Sequence, residues 1–173
     1  MGQDGLVKQA KRIIKVQPVM TADDNGDNDV AFDWTAVSGV SHAKGSATML
    51  QSVAILDADD SAAALELWFC IGSHADGTAP TAAQGMIGGA GAGSAVIDIT
   101  GAEAQAVQIC GNIQMTLSEG DLLTAYGITK TNIGLILQPA LNSNTIYMAG
   151  VWRGDPAATG ATNTLDVYLG FES

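Results

Sequence analysis

The sequence predicts an all-β domain of about eight strands with one short helix, and three observations predict it. Apolar residues recur with period two in several segments, clusters of Gly, Asn, Asp and Thr break the apolar runs, and the charged residues of solvated helices are scarce, with 7 Lys and Arg against 21 Gly. A chain of 173 residues is the size of one domain and can bury a core without metals or disulfides.

Taken in order, the apolar run at 12 to 19 fits a strand at a sheet edge or one buried on both faces. DDNGDND at 23 to 29 supplies turn residues, with Asn25-Gly26 suited to a tight hairpin. A run at 47 to 56 ends in the turn DADDS at 57 to 61. Residues 65 to 71 then alternate, with Leu65, Leu67, Phe69 and Ile71 on one face and Glu66, Trp68 and Cys70 on the other. A Gly-rich connector from Gly85 to Gly93 leads to a short run at 95 to 99. The longest alternation covers 105 to 115, where Gln105, Val107, Ile109, Ile113 and Met115 oppose Gln108, Cys110, Asn112 and Gln114. SEGDLLTAY supplies the one helix: Ser118 with Asp121 resembles an N-cap, and Leu122, Leu123 and Tyr126 make a short stripe. Runs at 133 to 138 and 144 to 152 follow, joined by LNSN, and GDPAATGATN at 154 to 163 leads into the closing alternation of Leu165, Val167, Leu169 and Phe171. Short strands with such breaks build a sandwich or barrel, and no fixed-period repeat points to a solenoid or propeller. Leu65, Leu67, Phe69, Val107, Ile109, Ile113, Leu165, Val167 and Leu169 are the expected core.

Composition bounds the function. No apolar run approaches the roughly 20 residues of a membrane span, and no apolar stretch before a small-residue cleavage site marks a secretory leader, so folding without export is expected. A net charge of −11 repels phosphate, and nucleic acid is not an expected partner. Cys70 and Cys110 form neither a disulfide framework nor a metal-ligand spacing, so two free thiols are expected.

Catalytic chemistry finds little purchase. The two histidines, His42 and His74, stand in small polar surroundings outside any catalytic motif, and no Lys-Ser/Thr follows the glycines of GMIGGAGAGSAV to make a phosphate loop. Asp23, Asn25, Asp27 and Asp29 recur every second residue, as calcium ligands can. Trp34 occupies the twelfth position where a bidentate carboxylate is required, so the segment reads as a turn. No enzyme, metal or cofactor is expected.

The charge is unevenly spread. Lys8, Lys11, Arg12 and Lys15 against the single acid Asp4 give residues 1–15 a charge of +3, leaving −14 for residues 16–173. The sequence thus divides into a basic amino-terminal arm, 1–15, and a single β-sandwich domain, 16–173. The arm reads either as a solvated terminus or as a segment docking on an acidic partner. Trp68 and Tyr168 fall on the polar sides of alternating strands and Trp152 lies beside Arg153 at a strand end. These aromatics suit interface anchors, or packing under a loop or second sheet.

Two segments, SVAILDADDSAAALELWFC at 52 to 70 and TNIGLILQPALNSNTIYMAGVWRGDPAATGATNTLDVYLGF at 131 to 171, resemble small virion structural proteins of tailed bacteriophages that decorate or cement the capsid. The likeness is one of pattern. A strand ending in Leu-Asp passes through Asp-Asp into Leu-x-Leu-x-Phe, and a Tyr-x-Ala-x-x-x-Arg-Gly strand end precedes a closing Leu-x-Val-x-Leu-Gly-Phe. The resemblance implies a jelly-roll-like antiparallel β-sandwich, commonly a trimer, that binds the assembled major capsid protein on the head exterior after synthesis in the bacterial cytoplasm. A carbohydrate- or receptor-binding β-sandwich module of a virion or cell surface is the alternative, with exposed Trp and a calcium loop as its tools.

Overall fold

A computed structural model describes residues 11–20, 27–57, 64–72, 77–80, 99, 101–115, 126–154 and 165–172. Eight strands and one helix follow in the order β1 (Lys11–Val16), β2 (Val30–Ser38), β3 (Thr48–Asp57), β4 (Ala64–Cys70), α1 (Gly101–Ala106), β5 (Ile109–Met115), β6 (Tyr126–Leu137), β7 (Thr145–Arg153) and β8 (Leu165–Glu172). They form two four-stranded sheets, ordered β1-β8-β3-β6 and β2-β7-β4-β5, in which every neighbouring pair is antiparallel. Apart from β4 and β5, successive strands cross from one sheet to the other. This interleaving of eight strands is the double Greek key of the jelly roll.

Alternation decides which side chains enter the space between the sheets. On β8, Leu165, Val167, Leu169 and Phe171 point inward, and on β4 Leu65, Leu67 and Phe69 do the same, as the period of two requires. Leu50, Val53 and Ile55 on β3 and Ile146, Met148 and Trp152 on β7 complete the layer. Gly150 sits on the same face of β7, opposite Phe32 in the register, and a Cβ there would collide with the Phe32 ring. The glycine is what admits that ring to the core.

A second apolar layer lies on the outer side of the sheet β2-β7-β4-β5. Val30, Ala149 and Val151 pack there with Trp34 and Trp68, and Cys70, Val107 and Tyr147 pack with Trp34, Ile99 and Ile109. The Tyr147 hydroxyl donates to the Gly77 carbonyl at 3.4 Å, bringing Gly77 onto this face. β7 is therefore buried on both sides over most of its length. On the outer face of the other sheet, Ile13 and Ile136 are well exposed.

Several expectations need correction. Val107 and Ile109 belong to the outer layer, not to the core between the sheets. For Ile109 the cause is a bulge: Phe69 pairs with Gly111 but Cys70 with Ile109, so the extra residue, Cys110, reverses its facing, while Val107 precedes β5 in a turn where Gln108 takes a φ of +53°. Cys110 packs against the central core and its Sγ donates to the Phe69 carbonyl at 3.3 Å, although alternation had put it on the opposite face. Gln105 lies in α1, because GAEAQA is rich in alanine and offers no β-branched residue to favour a strand. β2 was not anticipated at all, and the strand expected at 133 to 138 begins at Tyr126. β1 and β2 lie in different sheets, so Asn25-Gly26 does not join a paired hairpin. The turn itself, residues 95–98 of the run at 95 to 99, and the expected helix up to residue 125 fall outside the described residues.

Both cysteines are free thiols. Burial pushes each thiol upward from an ordinary value of 9.0, Cys110 to about 11 and Cys70 further. Neither should react with iodoacetamide at neutral pH until the chain is unfolded, as mass spectrometry of labelled protein would reveal. The unfolded thiols ionise first, so stability is expected to fall as pH rises above about 9. Labelling of the native protein at the denatured rate would overturn this.

Candidate functional site

The residues singled out from sequence divide three ways. Lys15 and Tyr168 come together on the outer face of β1 and its neighbour β8, and Lys11 lies on the same face four residues along the strand, because antiparallel pairing sets Lys11 opposite Glu172 and Lys15 opposite Tyr168. Arg12 points the other way. Trp68 and Trp152 lie in the second sheet, and Lys8 is outside the described residues.

Lys15 is the centre of the first group. Its Nζ lies 2.8 Å from an Asp166 carboxylate oxygen and 5.7 Å from the centroid of the Tyr168 ring. Gln17 Nε2 donates to the other Asp166 oxygen at 2.6 Å, and the Tyr168 hydroxyl donates to the carboxylate at 3.4 Å. The hydrogen bond from Lys15 holds the Asp166 carboxyl below the usual range, and the same bond raises Lys15. The cluster is solvated, so it positions side chains more than it stabilises the fold.

Arg12 acts as a tie between the sheets. Its guanidinium donates to the Gly39 carbonyl, to the Ser41 carbonyl at 3.3 Å and contacts His42 Nδ1 at 3.0 Å. It thereby fixes β1 to the connection between β2 and β3. The arm boundary expected after residue 15 falls inside β1, since residues 11–16 are a full strand in continuous register with β8. Backbone pairing of Ile13 and Ile14 next to a strand with free hydrogen bonds outweighs the solvation of the flanking lysines.

Trp152 is 1 % exposed in the central core, which removes it as a surface anchor. Trp68 is half-buried in the outer apolar layer. Neither indole N–H has a hydrogen-bond partner among the described residues.

Sequence reasoning missed a buried polar network at one end of the second sheet. Glu66, 8 % exposed, accepts from Arg153 Nε at 2.6 Å and lies 2.5 Å from its second terminal nitrogen, while Asn112 Nδ2 donates to the remaining carboxylate oxygen. Arg153 also donates to Asn28 Oδ1, and Asn28 holds a φ of +74° at the entrance to β2. One guanidinium thus binds β4, β7 and the start of β2. The only hint in the sequence was Glu66 at a polar position of an alternating strand.

Of the Asp-rich segment, Asp29 is buried and Asn28 is committed to Arg153, while residues 23–26 lie outside the described residues, as do His74 and the glycines of 85–93. Among the described residues no group of three His, Cys, Asp or Glu could hold a metal ion, and no helix is long and apolar enough to cross a membrane.

What the strand order defines is an eight-stranded jelly roll, a class that includes viral capsid and lectin domains. No family model matches the chain, and no curated protein matches its sequence. Three similar solved chains come from virus structures. One is from tomato aspermy virus, 6 % identical, covering all of this chain and 82 % of that one at a TM-score of 0.38. Another is from Desmodium yellow mottle tymovirus, 11 % identical, covering all of this chain and 86 % of the other at 0.29. The third is from heated full particles of Israeli acute paralysis virus, 8 % identical, covering 95 % and 70 % at 0.34. These likenesses are loose, and the jelly-roll class rests on strand order alone.

Proposed function

We propose that this chain is a structural protein of a virion, and more finely a decoration protein that cements the head of a tailed bacteriophage. The observation that carries the reading is the strand order β1-β8-β3-β6 over β2-β7-β4-β5. The segments that resemble phage decoration proteins include parts of β3, β4, β6 and β8 and all of β7, within residues 52 to 70 and 131 to 171. The charge split supports a docking role, with three cations on the edge strand β1 of a chain whose total is −11.

The partner would be the assembled major capsid protein, with the chain as a homotrimer on the head exterior and neither nucleic acid nor membrane involved. A protein that binds the shell but not free subunits lowers the free energy of the assembled state, and many weak copies act together. No covalent step is required of it.

Co-sedimentation tests this directly. Purified protein mixed with undecorated heads is expected to pellet with the shells, to leave dissociated capsid subunits unbound, and to raise the temperature at which shells disrupt. Protein that stays in the supernatant with intact shells, or that binds a glycan array instead, would refute the cement reading.

A further inference from the structure

Four strands end the two sheets, and three of them are irregular. β2 shifts register between Val30 and Phe32 and again between Phe32 and Thr35, and β5 carries the bulge opposite Phe69 and Cys70. β6 loses register opposite Leu50 and Ser52, where Asn132 and Gly134 take φ values of +58° and +69°. Bulges of this kind keep a free edge from templating another chain. β1 has none: its 6 residues pair with β8 in unbroken register from Lys11 opposite Glu172 to Val16 opposite Val167. Arg12 pins the strand to the 39–42 segment, so the edge is ordered before anything binds it.

The side chains on that edge specify a partner. β1 carries Lys11, Arg12 and Lys15 and no acid. Lys15 is occupied by Asp166 and Arg12 by its carbonyls, but Lys11 has no ion-pair partner among the described residues. Glu172, opposite it, accepts instead from Gln51 Nε2 at 3.0 Å. Ile13, on the same outer face, is 77 % exposed. Beside these two a trough of about 400 Å³ crosses the sheet over Gly170 and Ser52 to Asn132.

We propose that the outer edge of β1, which pairs with no strand among the described residues, is a docking site for an extended acidic segment of a partner protein, which adds to the sheet as a fifth strand. Backbone hydrogen bonds supply the attachment, as in strand addition to other open edges. A carboxylate beside Lys11 and an apolar side chain against Ile13 supply the selectivity, through the cross-strand contacts that join neighbours on one face. A second copy of β1 does not suit the edge, because antiparallel self-pairing centred on Ile13 sets Lys11 against Lys15 on one face.

The probe is the capped, dye-labelled peptide Thr-Glu-Thr-Val-Thr-Glu-Thr, followed by fluorescence anisotropy and by amide exchange of the full chain. Expected are binding that weakens with salt, slowed exchange of β1 amides, and a loss of about tenfold or more in affinity at Lys11→Glu. The counterpart peptide with Lys for Glu should bind Lys11→Glu better than it binds the original chain. Lys11 is exposed, so an unchanged circular dichroism spectrum should accompany the variant. Absence of binding, equal binding of both peptides, or an undiminished affinity at Lys11→Glu would overturn the proposal. So would protection of β1 that grows with protein concentration alone, which would make a second copy the occupant. No capsid enters the experiment, so its outcome is separate from that of the co-sedimentation test.

Discussion

Replacing Leu67 by alanine is expected to lower the free energy of unfolding by about 2–5 kcal/mol. Leu67 is fully buried in the middle of β4, with Gly150 of β7 opposite on one side and Ile113 of β5 on the other. Truncation removes its transfer energy and leaves a cavity, and strands hydrogen-bonded on both sides cannot close over the gap. Urea unfolding monitored by tryptophan fluorescence should give a lower midpoint with an unchanged slope. A loss well under about 1 kcal/mol would mean that the site tolerates the cavity as a surface position would.

The Glu66–Arg153 pair should give an effect of similar size by different physics. Arg153→Met removes the nitrogen donors at 2.6 and 2.5 Å and leaves a carboxylate that is 8 % exposed with Asn112 as its remaining partner in the network. Stranding one member of a buried pair costs about 3–5 kcal/mol, whereas replacing both by apolar groups can be near neutral. The double variant Glu66→Met, Arg153→Met is therefore expected to recover much of the loss. A double-mutant cycle in chemical denaturation measures the coupling. Losses that simply add would show that the network is solvated and energetically minor.

The ease of reading each strand tracked its regularity. β4 and β8 declared their inward residues because neither carries an extra residue: the bulges in their pairings lie on the partner strands, at Cys110 of β5 and Gln51 of β3, and leave the period of two on β4 and β8 intact. β2 stayed hidden because its two register shifts bring Ala31 and Phe32, neighbours in sequence, into the same core. In β5 the pattern was visible but half of it was assigned to the wrong side, since a bulge leaves no mark in composition. Trp152 misled for a related reason. In a strand buried on both faces, a large aromatic beside an arginine looks like a strand end although the chain continues inward.

The candidate site was legible as a list and not as a place. Lys11, Arg12 and Lys15 stood out by charge, and Tyr168 by its position on a polar face. That Lys15 meets Asp166 and Tyr168 depends on β1 and β8 being neighbours, a pairing between residues some 150 positions apart that no local pattern encodes. Ile13, the most informative residue of the edge, was inconspicuous in an apolar run.

The pairing of Lys11 with Glu172 also has a mechanical meaning. The first described strand and the last leave the sheet at the same corner, running antiparallel. Tension applied between these two ends would load the β1–β8 hydrogen bonds one after another, beginning at Lys11 and Glu172, instead of shearing them all at once. The sandwich is accordingly built to unzip when pulled at Lys11 and Glu172. A particle that gripped it there would peel away β1 under modest force, whereas a grip on the faces of the sheets would spread the same load across the whole sandwich.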